Sequence, residues 1–101
     1  MTRFHATQQE LQTAVVAKRQ LEDQKMENEN VLQELQQLES DAVVFREVGA
    51  VLLKQEKIEA VENVEKRLQY IQAELARASS AVSACEDRMK EVAAAVQQPS
   101  V

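Results

Sequence analysis

The sequence predicts a mainly α fold: two long antiparallel helices forming a coiled coil, joined by one short β-hairpin. Three observations carry that prediction. The 101 residues include one Gly, one Pro and no Trp, and aromatics make up 3%, so turns and bulky core residues are both scarce. Two long stretches place apolar residues at alternating spacings of three and four, the seam of a coiled coil. Between them the period drops to two, and the single glycine lies in that interval.

The first stretch, residues 6–39, contains neither Gly nor Pro and reads as one helix. Leu11, Ala14, Leu21, Leu32 and Leu35 mark its seam, with Lys18, Lys25 and Asn28 at intervening seam positions. Its middle is therefore polar. Val15, Val31 and Leu38 sit beside the seam and are expected to widen it towards both ends.

Residues 42–55 read as the hairpin. Val43-Val44-Phe45-Arg46-Glu47-Val48 is β-branched and aromatic, and Val51-Leu52-Leu53 is apolar. Gly49 falls between the two runs, where a tight turn needs positive φ. Ser40-Asp41 supplies the break after the first helix.

Residues 57–96 form the second helix, followed by a tail over 97–101. Val61, Val64, Leu68, Ile71, Leu75, Ala78, Val82, Cys85, Met89, Val92 and Val96 hold the repeat without a charged interruption. Glu56, Glu59 and Glu62 cluster at its start, where the helix dipole favours negative charge. Glu62–Lys66 and Glu86–Lys90 add i,i+4 support. Pro99 ends it.

Both hairpin faces are apolar: Val43, Phe45, Val51 and Leu53 are assigned to one, Val44, Val48 and Leu52 to the other. A lone two-stranded ribbon is marginal in water and leaves its edges unpaired. One helix pair cannot cover both faces and both edges. The hairpin is thus expected to join a β-barrel on oligomerisation, through Val43, Val44, Phe45, Val48, Gly49, Val51, Leu52 and Leu53.

Composition excludes several function classes. The formal charge is −5, with no basic stripe to hold nucleic acid phosphates or anionic lipid. No apolar run approaches the roughly eighteen residues a membrane span needs. Met1-Thr2-Arg3-Phe4-His5 lacks the apolar stretch of a secretory signal, and a lone Cys85 offers no disulfide framework, so an intracellular, cytoplasmic chain is expected. His5 and Cys85 lie about eighty residues apart, too few and too distant for a metal site. Cys85 sits on the seam, where it reads as a small buried hydrophobe. One glycine cannot build a phosphate loop. No catalytic residue, cofactor or metal is expected, and the chain is not read as an enzyme.

Binding remains. Phe4, Leu11, Val92 and Val96 lie at the far ends of the helices, beside Ala93, Ala94 and Ala95. They are expected to expose an apolar groove where the coil splays, a surface suited to non-native chains.

The hairpin and the start of the second helix resemble the β class of prefoldin subunits. The resemblance is carried by Val43-Val44-Phe45-Arg46, Gly49, Val51-Leu52-Leu53-Lys54-Gln55 and Lys66-Arg67-Leu68-Gln69-Tyr70-Ile71-Gln72-Ala73-Glu74-Leu75. It spans about a third of the chain, from Leu38 to Leu75; the flanking helices agree in length and heptad character. Ala50 departs from it, standing where relatives often have Pro. The resemblance implies an ATP-independent co-chaperone, a hexamer of two α-class and four β-class subunits whose hairpins form a double barrel. It further implies that the coil tips hold unfolded clients such as actin and tubulin and deliver them to a group II chaperonin. The same heptads also fit another reading, a structural coiled-coil scaffold or assembly protein that binds folded partners.

Overall fold

The computed structural model describes residues 2–97, and the side chains of residues 3–95. Its elements run α1 (Thr2–Gln36), β1 (Val43–Val48), β2 (Val51–Glu56) and α2 (Lys57–Gln97). Two long helices joined by an antiparallel hairpin match the fold class that the sequence predicts.

The chain divides into two compact units. One is Asp23–Gln72; the other combines Met1–Glu22 with Ala73–Val101. The first holds the end of α1, the hairpin and the start of α2. Its core is Leu35, Ala60 and Val64, with Leu32, Val44, Val61 and Leu68 packed against them. Ala60 is missed by the heptad reading. It is 5% exposed, and its small side chain admits close packing near the base of the hairpin.

The α1 seam is one residue wide. Phe4, Thr7, Leu11, Ala14, Lys18, Leu21, Lys25, Asn28, Leu32 and Leu35 are buried or half-buried, and every other described side chain of α1 is exposed. Val15, Val31 and Leu38 therefore do not widen it; they are 40%, 44% and 41% exposed. The reason is geometric: one partner helix covers the a and d positions, and flanking positions need a third layer to be covered.

Two of the polar seam residues, Asn28 and Thr7, have hydrogen-bond partners. Asn28 donates from Nδ2 to the Gln24 carbonyl at 2.7 Å and accepts from Arg67 on α2 at 3.1 Å. A polar group paired across the seam favours one alignment of the helices, modestly here because the bond is open to water. In the other unit Thr7, 7% exposed, donates to the Arg3 carbonyl at 2.9 Å. Glu10 and Arg88 join α1 to α2 at 3.1 Å, but both are about half exposed, so the pair contributes well under 1 kcal/mol.

Helix α1 stops at Gln36, before the residue 39 expected from sequence. Gln37 and Leu38 donate to the Glu34 and Leu35 carbonyls, an i−3 pattern that tightens the last turn. Glu39 and Ala42 then close a turn around Ser40-Asp41. No glycine caps the helix. Instead Lys57, the first residue of α2, sends Nζ to the carbonyls of Gln36 and Leu38. A cation at a helix C-terminus meets both the open carbonyls and the negative end of the dipole. Lys57→Met is expected to cost about 0.5–1 kcal/mol and to speed amide exchange selectively around residues 36–42; uniform exchange rates would refute the capping role.

Candidate functional site

The hairpin pairs Val43 with Glu56, Val44 with Gln55, Phe45 with Lys54, Arg46 with Leu53, Glu47 with Leu52 and Val48 with Val51. Gly49 and Ala50 alone make the turn. Gly49 has φ +59°, and no other described residue has positive φ. Positive φ at the first central position only is the type II′ pattern, whose twist suits a two-residue hairpin. An added Cβ at Gly49 would meet nothing within 4 Å, so glycine is required there by backbone conformation and not by crowding.

This register corrects the face assignment made from sequence. Partners across a hairpin share a face, and a two-residue turn pairs Val48 with Val51. One face therefore carries Val44, Arg46, Val48, Val51, Leu53 and Gln55. The other carries Val43, Phe45, Glu47, Leu52, Lys54 and Glu56. Val51 and Leu53 lie with Val44 and Val48, not with Phe45.

Of the apolar hairpin residues only Val44 is drawn into the core. Val43, Phe45, Val48, Val51, Leu52 and Leu53 are between 47% and 64% exposed. β1 and β2 form a two-stranded sheet, so among the described residues each strand has one unpaired edge. Exposed apolar side chains on both faces, with open backbone edges between them, make a surface built for another strand. A cleft of about 1030 Å³ lies at the base of the hairpin, lined by residues that include Asp41, Val43, Lys54 and Ile58.

The four residues expected at the helix ends are placed differently. Phe4 is half-buried, its ring edge-on to His5 at 6.2 Å between centroids. Leu11 is half-buried and Val92 is 6% exposed, so both lie in the seam of their unit. The side chain of Val96 lies outside the described residues, as does Pro99. The splayed groove is thus not formed at Val92 in this conformation. Thr7 joins the same seam and was missed by a search for apolar residues; its spacing from Phe4 and Leu11 was the available signal.

Among the described residues no group of three or more His, Cys, Asp or Glu side chains is placed to hold a metal ion. No described helix is long and apolar enough to cross a membrane.

The two helices, the single hairpin and its register can be set against known proteins. A family model described as prefoldin subunit matches residues 1–99. The chain belongs to the prefoldin subunit family. Among curated prefoldin proteins it is similar to prefoldin subunit 6 of Saccharomyces cerevisiae, 43% identical over 75 residues, which cover 74% of this chain and 66% of the yeast protein. Prefoldin subunit 6 of Arabidopsis thaliana is 48% identical over 62 residues, 61% of this chain and 48% of that protein. The human prefoldin subunit 6 is 37% identical over 99 residues, 95% of this chain and 77% of its own length. The chain thus spans less than two thirds of the yeast and plant relatives.

Prefoldin structures agree. The prefoldin β subunit from Thermococcus strain KS-1 superposes with a TM-score of 0.89 at 25% identity, covering 97% of this chain and 90% of that one. The β2 subunit of the same strain, at 21% identity and a TM-score of 0.79, shares the fold. The β-class architecture seen in the hairpin residues therefore extends along both helices, well beyond the third of the chain whose residues carry the resemblance.

Proposed function

We propose that this chain is a subunit of a prefoldin-type hexamer of two α-class and four β-class subunits. The hexamer captures unfolded proteins and passes them to a group II chaperonin in the cytoplasm, without ATP. One observation carries the reading: six large apolar side chains stand exposed on a two-stranded ribbon with open edges. A free chain gains nothing from that surface. A barrel made with neighbouring hairpins buries it.

Client contact belongs to the unit that joins the first helical turns to the last. Its seam intersperses Thr7, Ala14, Ala78 and Cys85, small or polar residues that bury little area, among Leu11, Val82 and Val92, so separating the helices there costs less than separating a seam of Leu and Ile throughout. Opening frees Phe4, Leu11 and Val92 to meet an apolar stretch of a client such as actin or tubulin, with Val96 as a fourth contact in sequence. Several such weak contacts in one hexamer add by avidity.

The test dilutes denatured actin into buffer with this chain alone, and with the yeast prefoldin subunits reconstituted without their subunit 6. Light scattering and assembly mass are recorded together. A hexamer that lowers scattering without ATP is the expected result. A hexamer that leaves aggregation unchanged makes the chain an assembly scaffold for folded partners, and no hexamer at all removes the proposal.

A further inference from the structure

We propose that Arg46 selects the neighbour of this hairpin, requiring a strand of different sequence that brings a carboxylate to the face on which Arg46 lies. The proposal rests on the assembly reading given above. Arg46 sits mid-strand in β1, opposite Leu53. Val48, Val51 and Leu53 share its face and are 47%, 57% and 50% exposed, and that face holds no acidic residue. Arg46 itself is exposed, and among the described residues it enters no ion pair and no side-chain hydrogen bond.

Water solvates the guanidinium while the hairpin is free. A neighbour that covers Val48, Val51 and Leu53 takes that water away. A guanidinium left neither solvated nor paired is strongly unfavourable, whereas a planar, bidentate carboxylate partner satisfies it. The opposite face carries both signs: Glu47 and Glu56 lie on it with Lys54, and Glu47 and Lys54 are at diagonal positions across the strands.

A second copy of the chain is a poor occupant. Copies related by rotation around a closed sheet turn the same face inward, so a second copy adds another Arg46 and no acid. Like charges brought together in a covered face oppose association. Arg46 therefore favours a mixed assembly and opposes a uniform one.

Sedimentation equilibrium of three samples tests this: the unmodified full chain, the Arg46→Glu chain, and an equimolar mixture. The mixture is expected to associate about 100-fold more tightly than either chain alone. A mixture no tighter than its components overturns the proposal, and so does tight self-association of the unmodified chain. The assembly reading is measured separately with the yeast subunits lacking subunit 6, using the Phe45→Asp, Leu52→Asp double variant, in which Arg46 is intact. If the double variant is excluded while Arg46→Glu joins normally, hairpins assemble without selection by Arg46. If both variants join normally, Arg46 selects nothing and assembly does not cover these hairpin faces; the assembly reading itself fails only if the unmodified chain does not join.

Discussion

Replacing Phe45 and Leu52 together by Asp is expected to abolish incorporation into a prefoldin-type hexamer while leaving the isolated chain folded. The two residues are diagonal neighbours on one face of the hairpin, 59% and 64% exposed in the free chain. Burying a Phe or Leu side chain contributes about 1.5–3 kcal/mol, so losing both weakens association by roughly a hundredfold to ten-thousandfold. Two buried carboxylates add a further penalty, since that face offers Lys54 as its one cation. In the free chain both side chains are largely in water, so helicity is expected to be unchanged and stability to stay within about 0.5 kcal/mol of the unmodified protein. Native mass spectrometry of the reconstituted mixture gives the result directly. A double variant that still enters the hexamer would show that this face is not covered on assembly.

The second large effect concerns folding. Ile71 is 3% exposed, the most deeply buried large side chain of the described core. Ile71→Ala removes three carbons from a seam with no second layer to collapse into the space, and is expected to cost about 2–5 kcal/mol. A chain of this size has a total stability of about 5–15 kcal/mol, so a large share is lost at one position. Urea unfolding followed by circular dichroism should show a much lower midpoint with an unchanged slope. Ile71→Val should recover most of the loss, at about 0.5–1.5 kcal/mol. Val16→Ala, at a position 50% exposed on the outer surface of α1, is the control and should change stability by less than about 0.5 kcal/mol. Equal effects at Ile71 and Val16 would contradict the single-seam core.

Much of this was legible in the residues because their spacing is local. The a/d repeat from Val61 to Val92 specifies a helix and its buried face before any partner is known, and the seam of α1 extends by the same rule to Phe4 and Thr7. Gly49 marked the turn because positive φ is open to glycine at little cost. Burial beside the seam was not legible. Val15, Val31 and Leu38 are apolar and well placed, yet exposed, because whether a flanking position is covered depends on the number of helices around it. The end of α1 was equally hidden, although α2 begins at Lys57 as the sequence indicates. Lys57 caps α1 from another element, and no pattern within α1 announces that its last carbonyls will find a lysine twenty residues on.

By itself, then, the sequence determined the element types, most of the seam residues and the position of the turn, all of which follow from periodicity and backbone preference within a few residues. Only the tertiary structure decided the strand register, and with it the sharing of faces. A two-residue turn pairs Val48 with Val51, which sets Arg46 among Val48, Val51 and Leu53 and puts Phe45 beside Leu52. It also decided that Val44 is held by the core while six other apolar hairpin residues are left to water. The physical reason is the same in both cases: a side chain's face and burial depend on residues far along the chain, and a shift of one residue in pairing would move every strand side chain to the opposite face.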